Sequence, residues 1–520
     1  MEGNYSKSIQ ESKYNNIGKR TILLLTIICC IGLIIRFYYT PYGIPVNFDA
    51  FSAYFLYALD ISILRDFPNY TLSQSGWSEF LSLFFMNFHS ENLIDYMNLQ
   101  RTISVILSGI TVIPIYFICK KFFSSNYSLV GALIFAFDPR IINNSTLGIT
   151  EPLYILAITL GLLLFLNTNK KIIYSSFAFI ACATITRPEG QFWFVAFSLI
   201  YFLRFRKNRK DLALFLICLG IFLLVLSPIV MNRIECCGDD GIVGRIISEI
   251  SNYDNSPIQS NDNINTVSYG PNFFNGIKLF GWSLIPILVI FIPIGLIPIL
   301  KQLKYPNYVL LLLPTILAIP IMYSISIAPD TRYVFALFPI FCVISLFGIK
   351  YIVSKFTNKK FILLLIISII IISSMLFLDF KKIQYGDSHE AYIISKLIIN
   401  DVNGVNKSSK VVEFFKVAEI EKKWSSSDYS GNLKDNYDVN RFYEYDFNSV
   451  KEFINFYKDQ KLTHLIIDQS EHMPKYMKEI LDNEAEYEYL IKEFDSVELG
   501  YDYNVKSYKI DYEIFKKLDR

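Results

Sequence analysis

The chain has 520 residues, of which 52% are hydrophobic, 16% aromatic and 18% charged, with a formal net charge of +2 and a mean hydropathy of +0.35. Because a soluble protein carries about a quarter charged residues, this composition excludes an ordinary soluble protein and favours a membrane protein. The net charge of +2 does not by itself indicate any partner, and we expect no nucleic-acid partner. Eight cysteines without a C-x-x-C pair and four scattered histidines predict no structural zinc site.

Apolar stretches of roughly 20 residues recur along the first 380 residues, which is typical of helices that cross about 30 Å of hydrocarbon. No small-residue cleavage site follows the first stretch, so we expect it to be retained as a span. The eleven predicted spans are residues 21–39, 102–119, 127–143, 148–167, 172–185, 191–203, 212–231, 277–300, 308–328, 332–350 and 361–379.

The loops between these spans alternate in charge. One set contains basic residues such as Lys170, Lys171 and Lys301, and the other contains most of the carboxylates. Because short cytoplasmic loops of membrane proteins are enriched in Lys and Arg, this alternation predicts a cytoplasmic N-terminus. With eleven spans the C-terminal domain is then extracytoplasmic, in a multi-pass protein of the plasma membrane.

Two regions outside the spans are predicted to fold. The first outer loop, 40–100, contains FDAFSAYFLYALDISIL and WSEFLSLFFMNF, which predict helices along the membrane surface. In the soluble-like tail, SVKEFINFYKDQ and MPKYMKEILDN predict helices, and THLIIDQ and YNVKSYKID predict strands. The sequence therefore predicts an all-α polytopic membrane domain over 1–380 and a small α/β domain over 385–520.

Charged residues gather at the predicted outer ends of the spans. A charge at the membrane edge is costly, so each one is a functional candidate. The candidates are Asp49, Arg101, Asp138, Arg140, Glu151, Arg187, Glu189, Asp330 and Arg332.

Carboxylates and arginines at one membrane surface suit the transfer of a sugar from a polyprenyl phosphate. A carboxylate can act as general base on an acceptor hydroxyl. Arginines can neutralise the departing phosphate with charge-assisted hydrogen bonds. The chain has no P-loop or dinucleotide-binding glycine pattern, so we expect a lipid-linked donor and no nucleotide cofactor.

Six segments carry a resemblance to a known family. In chain order they are NFDAFSAYFLYALDIS, GWSEFLSLFF, LQRTISVILSGITVIPIYFICKKFF, GITEPLYILAITLGLLLF, ATITRPEGQFWF and DTRYVFALFPIF. Over residues 20–380 the chain resembles family C of membrane glycosyltransferases (the GT-C fold), in the branch of dolichyl-phosphate-mannose protein mannosyltransferases and aminoarabinose transferases. The resemblance implies a hexosyltransferase that moves one sugar from a polyprenyl (dolichyl) phosphate to a protein or a lipid-linked glycan, with inversion.

The resemblance also implies roles for single residues. Asp49 matches the expected general base, although many relatives have Asp-Glu where this chain has Asp49-Ala50, so a second carboxylate must come from elsewhere. Glu151 matches a second acidic position of the family and is, after Asp49, the second residue with a predicted catalytic role. Arg187, Glu189 and Arg332 match positions near the lipid phosphate or sugar, and Arg101 is a looser match. The two glutamates could instead hold a divalent metal ion.

Each candidate also has a structural interpretation. Asp49 could cap a helix, and Glu151 could interact with the dipole of a helix that has Pro152 in its first turn. Arg187 could simply pair with Glu189, and Arg332 could extend to the interface. Asp138, Arg140 and Asp330 are expected to be structural.

Three other functions remain open at this point. An oligosaccharyltransferase would move a whole glycan to Asn, but the chain lacks the expected WWDYG motif. A transporter or flippase would show inverted repeats and charges near the bilayer midplane, and the chain shows neither pattern. An inactive family member that acts as a scaffold is the third alternative.

Overall fold

The computed structural model describes residues 18–68, 70, 72, 75–205, 210, 213–237, 273–324, 331–381, 385–425, 439–444, 447–470 and 472–518. These residues form two compact units. The first unit takes the described residues within 1–40, 70–77 and 101–382, and the second takes those within 41–69, 78–100 and 383–520.

The first unit is helical. A short 3-10 helix, Thr331–Leu337, lies directly before a helix that begins at Phe338. Its helices are α1 (Lys19–Tyr39), α4 (Leu93–Ile110), which begins in the second unit, α5 (Val112–Lys120), α6 (Ser125–Phe137), α7 (Pro139–Ser145), α8 (Glu151–Phe165), α9 (Lys170–Thr186), α10 (Gly190–Phe205), α11 (Phe215–Cys237), α12 (Phe273–Ser283), α13 (Leu288–Leu300), α14 (Pro306–Ser324), α15 (Phe338–Ser354) and α16 (Lys359–Phe380).

Long apolar helices confirm the polytopic architecture. Five helices within the described ranges are long and apolar enough to cross a membrane, and a pair bent by 106° would make a sixth. Several other predicted spans coincide with shorter apolar helices, among them Ser125–Phe137 and Glu151–Phe165. The span number of eleven and the membrane orientation therefore stay predictions.

The third predicted span, 127–143, is not one helix. Helix α6 ends at Phe137, and Asp138 has extended backbone before α7 begins at Pro139. A proline disfavours helical geometry in the residue before it, which explains the break. The Asp138 carboxylate accepts hydrogen bonds from the backbone N–H groups of Arg140 and Ile141 over 3.0 and 3.2 Å, so it caps α7.

The second unit combines first-loop helices with an α/β domain. Its first-loop part contains a π-helix, Ala50–Phe55, followed by α2 (Leu56–Leu64) and by α3 (Gly76–Phe85), which begins in the first unit. Its C-terminal part contains α17 (Gly386–Ile398), β1 (Gly404–Asn406), α18 (Lys410–Ser425), β2 (Asn440–Phe442), α19 (Val450–Tyr457), β3 (His464–Asp468), α20 (Lys475–Asp482), β4 (Leu490–Asp495), β5 (Val505–Ile510) and α21 (Tyr512–Leu518).

One mixed sheet organises the C-terminal domain, with strand order β2-β1-β3-β5-β4. Strands β1, β2 and β3 are parallel, and β5 pairs antiparallel with both β3 and β4. Strand β3 is buried throughout: Leu465 and Ile467 belong to one core and Ile466 to the core on the other face. Since alternate side chains of a strand point to opposite faces, both faces of this sheet are covered. The predicted helices at α19 and α20 and the predicted strands at β3 and β5 are confirmed.

Candidate functional site

The segment that carries Asp49 begins a helix whose cap is another residue. Asn47 accepts a hydrogen bond from the Ala50 backbone N–H over 2.8 Å, and the Asp49 side chain makes no capping hydrogen bond. Asp49 is exposed, whereas Ala50, Phe51 and Phe55 are buried. The capping interpretation of Asp49 is therefore wrong, and its carboxylate lies on the solvent-facing side of the segment.

A π-helix follows Asp49 directly, over Ala50–Phe55. Single π-helical turns are rare in proteins, and those that occur are often located at functional sites. Here the wider turn continues into α2, whose residues from Leu56 to Ser62 are all buried. The first-loop prediction of two helices is thus confirmed as secondary structure, while their placement against a membrane stays a prediction.

A buried ion cluster joins Glu151, Arg187 and Glu189. The Arg187 guanidinium donates to Glu151 Oε1 over 2.6 Å and to the two Glu189 oxygens over 2.9 and 3.3 Å. Side-chain exposure is 9% for Arg187, 2% for Glu151 and 17% for Glu189. Arg187 therefore neutralises one carboxylate fully inside the protein and forms a bidentate pair with a second one at its edge.

Local sequence explains how the cluster forms. Arg187 ends α9 with extended backbone, because Pro188 follows it and disfavours helical geometry. Glu151 is the first residue of α8, and the Thr150 hydroxyl lies 3.3 Å from Arg187 Nη1. Helices α8 and α9 pack against each other, so the start of one meets the end of the other.

Gly76 and Trp77 contact the residues that precede Arg187 and Glu151 in the chain. The Trp77 indole N–H donates to the Gly148 carbonyl over 3.0 Å, and Trp77 is fully buried. At Gly76 a Cβ would lie 2.9 Å from the Thr186 backbone N and 2.8 Å from an Ile185 methyl. Because these contacts flank Glu151 and Arg187, Gly76 and Trp77 help to fix the cluster.

Two aromatic rings lie close to the Arg187 guanidinium. The Arg187 guanidinium lies 5.2 Å from the Tyr333 ring centroid and 6.0 Å from that of Tyr154. A cavity opens beside the cluster, lined by Tyr154, Glu189, Phe192, Trp193, Pro314, Ala318, Tyr333, Ala336 and Leu337. Sequence reasoning missed these aromatic residues, although Tyr333 directly follows the candidate Arg332 in DTRY.

The structure distributes the sequence-predicted residues between the units. Glu151, Arg187 and Glu189 come together, and Arg101 and Arg332 belong to the same unit. Arg101 is buried on α4, and Arg332 is half-buried in the 3-10 helix before α15. Asp49 belongs to the second unit. The pairing of Arg187 with Glu189, expected as a structural alternative, is observed.

The remaining edge charges have structural partners. Asp138 caps α7, and the Arg140 guanidinium donates to the Ile285 carbonyl over 2.8 Å and lies 5.2 Å from the Phe377 ring centroid. Arg36, which the sequence did not single out, is fully buried and donates to the Gly32 and Ala136 carbonyls over 2.9 and 2.8 Å. Asp330 lies outside the described residues.

The acidic cluster does not fit a divalent ion. Arg187 lies between Glu151 and Glu189 and already supplies the positive charge that a metal ion would bring. Within the part of the chain that the structure describes, no three His, Cys, Asp or Glu side chains gather as metal ligands.

Comparison with known families matches residues 94–231 to the family described as dolichyl-phosphate-mannose-protein mannosyltransferase. The match includes Glu151, Arg187 and Glu189. No curated protein sequence matches the chain.

Solved structures give the fold. The Archaeoglobus fulgidus oligosaccharyltransferase in the apo form is similar with a TM-score of 0.55 and 10% identity, over 86% of this chain and 69% of that one. ArnT from Cupriavidus metallidurans, bound to undecaprenyl phosphate, is similar with a TM-score of 0.52 and 10% identity, over 93% of this chain and 97% of that one. The chain has the GT-C fold. This confirms the fold expected from the resemblance, with a helical membrane part and a small C-terminal sheet.

Proposed function

We propose that this GT-C chain is an integral membrane glycosyltransferase that transfers a sugar from a polyprenyl-phosphate donor to an acceptor hydroxyl. The observation that carries the proposal is the Glu151–Arg187–Glu189 cluster, which lies inside the mannosyltransferase family match and beside an aromatic cavity. The undecaprenyl phosphate bound to ArnT and the dolichol-phosphate bound to the archaeal oligosaccharyltransferase support a donor of this class.

In the proposed reaction Asp49 is the general base. The acceptor hydroxyl loses its proton to the Asp49 carboxylate while its oxygen attacks the anomeric carbon of the sugar. The bond between that carbon and the phosphate oxygen breaks, and the polyprenyl phosphate leaves with the electron pair. One displacement from the opposite face inverts the anomeric centre. An exposed carboxylate suits this role, because an acceptor can reach it.

The arginines are proposed to stabilise the departing phosphate and to orient the sugar. The departing phosphate gains negative charge, and a guanidinium stabilises such charge with paired hydrogen bonds. Arg187 is already paired with two carboxylates, so we propose that it orients the sugar through Glu189, whose side chain is the more exposed of the two. Arg101 and Arg332 are then the proposed phosphate ligands, and Glu151 holds Arg187 in place.

The acceptor is proposed to be a protein or a lipid-linked glycan, on the outer face of the plasma membrane. The outward C-terminal domain and a cytoplasmic N-terminus belong to the same proposal and rest on the alternation of loop charges. One neighbour structure, the archaeal oligosaccharyltransferase, holds a tethered acceptor peptide with an NVT sequon, which supports a peptide as one acceptor class.

The test is transfer of labelled sugar from a polyprenyl-phosphate donor in membranes that contain the protein. Asp49→Asn is expected to lower transfer by about 10²- to 10⁴-fold, the usual contribution of a general base. Asp66→Asn is the matched control, because Asp66 is an exposed carboxylate of the same loop. Full activity of Asp49→Asn would rule out the base assignment. Transfer of a lipid-linked oligosaccharide alone, with no monosaccharide donor accepted, would instead indicate an oligosaccharyltransferase.

A further inference from the structure

One helix of the C-terminal domain contacts the segment that carries Asp49. Lys416 of α18 lies with its Nζ 3.4 Å from the Ser52 hydroxyl and 5.6 Å from the centroid of the Phe48 ring. Arg441 of β2 lies 5.8 Å from the same ring. The two residues that meet Lys416 therefore stand on either side of Asp49 in the chain.

The same helix makes a second contact with the first loop, eight residues further on. The Trp424 indole N–H donates to the Ser90 carbonyl over 3.3 Å, and its ring meets the Tyr96 ring edge-on at 5.5 Å. Tyr96 is buried and packs against Phe85 and Phe88. A rise of 1.5 Å per residue separates the Lys416 and Trp424 contacts by about 12 Å along α18.

Two contacts at this separation restrain both translation and rotation of the loop relative to the helix, which one contact alone does not. The contact through Lys416 falls on the short stretch whose position decides where the Asp49 carboxylate points. Asn47 and Phe48 are exposed between the buried Val46 and Ala50, so at these two positions the contact with Lys416 adds to what burial of the flanking residues provides.

We propose that helix α18 acts as a clamp on the Asp49 segment, with Lys416 and Trp424 as positioning residues. The inference rests on the proposed function for its catalytic meaning, since Asp49 is the proposed base. The clamp predicts that contact with α18 keeps residues 47–56 ordered, whether or not Asp49 is catalytic. A base must lie within hydrogen-bond reach of the hydroxyl that it deprotonates, and a displacement of about 1 Å can cost 10²-fold in rate.

Amide hydrogen exchange on the full-length protein in detergent tests the clamp without any substrate. In Lys416→Met, in Trp424→Ala and most of all in the double variant, the peptide that spans residues 47–56 is expected to exchange at least tenfold faster than in wild type. Lys416→Arg and Trp424→Phe, which keep the cation and the ring, should restore most of the protection. Lys422→Met is the matched control, because Lys422 belongs to the same helix and donates to Asn400 instead.

Steady-state kinetics of sugar transfer then distinguish an effect on the position of Asp49 from an effect on donor binding. The Lys416→Met and Trp424→Ala variants are expected to lower kcat at least tenfold with a KM for the donor within about twofold of wild type, because the base is misplaced and the donor site is intact. Unchanged exchange of residues 47–56 in the double variant would overturn the clamp whether or not the chain transfers sugar. Faster exchange with no sugar transfer by wild type would keep the clamp and reject the proposed function. Faster exchange with unchanged kcat would show that the contact does not position a catalytic residue.

Discussion

Arg187 and Glu151 form a buried ion pair of 2.6 Å that joins the end of α9 to the start of α8. The chain separates the two residues by 36 positions, and the packing of the two helices brings their ends together. Glu189 supplies a second carboxylate from the turn that follows. The cluster therefore consists of two carboxyl groups that share one guanidinium, with Arg187 at its centre.

Removing Glu151 alone should destabilise the protein more than removing Glu151 and Arg187 together. In Glu151→Ala the buried Arg187 guanidinium loses its 2.6 Å partner and keeps Glu189 at the edge of the cluster, so we expect a loss no larger than the cost of breaking a fully buried pair, about 3–5 kcal/mol. Thermal unfolding of the purified protein measures this effect. The double variant Glu151→Ala/Arg187→Met should recover part of the loss, and Glu189→Gln, at the exposed edge, should cost less than Glu151→Ala. Equal losses in the single and double variants would contradict the coupling.

The Gly-Trp pair before α3 gives a second prediction. Gly76→Ala places a Cβ 2.9 Å from the Thr186 backbone N, where the backbone cannot yield without moving Arg187. We expect a loss of thermal stability together with reduced transfer. Trp77→Phe keeps most of the ring but leaves the Gly148 carbonyl without its indole partner, which costs about 1–3 kcal/mol. Gly281→Ala is the control, because a Cβ there meets nothing within 4 Å. A Gly76→Ala variant as stable and active as that control would refute the close contact.

Substitutions at Asn47 and Asp49, near the start of the π-helix, should affect thermal stability and sugar transfer differently. Asn47→Ala removes the side chain that caps the Ala50 N–H and should lower the local helix stability by about 1 kcal/mol. Asp49→Asn keeps the cap and should lower the melting temperature less than Asn47→Ala does, while transfer falls. Differential scanning fluorimetry beside the transfer assay distinguishes the two. A drop in melting temperature for Asp49→Asn as large as that for Asn47→Ala would return Asp49 to a structural role.

The sequence predicted best those elements whose pattern is long and strongly apolar. Helices such as α1 and α16 and the buried strand β3 fall where the hydropathy predicts them. Strands β1 and β2 have three residues each, too few for a periodic pattern, and β4 is mostly exposed, so none of them was predicted. The helix break at Asp138 was missed although Pro139 signals it.

The candidate site was predictable in its residue types but not in its pairing. Loop positions indicated that Glu151, Arg187 and Glu189 share one end of the helices. The sequence could not tell that one guanidinium takes both carboxylates, because that depends on side-chain geometry across two packed helices. It also could not place Lys416 and Trp424 beside the first loop, since more than 300 residues separate these partners in the chain.

The C-terminal domain should lose stability as pH rises above the ordinary pKa of a glutamate, about 4.3, because of Glu444. This residue is buried after β2, where its Oε1 accepts hydrogen bonds from the Ser408 backbone N–H and hydroxyl over 2.9 and 2.7 Å. Burial raises the pKa of Glu444 above its usual value, and the two bonds from Ser408 offset only part of this effect. A carboxyl group whose pKa is raised by folding contributes stability below its unfolded pKa of about 4.3, and that contribution is lost as pH rises through the folded pKa.

Glu444→Gln mimics the protonated carboxyl group at every pH. Its stability relative to wild type should therefore increase as pH rises from about 4.3 and level off above the folded pKa of Glu444, measured as the melting temperature of the full-length protein at each pH. Glu488→Gln is the control, because Glu488 is an exposed carboxylate of the same domain. If Glu444→Gln instead became less stable than wild type as pH rose, the ionised carboxylate would be a favourable partner in the folded domain, and the sign of its pKa shift would be the opposite.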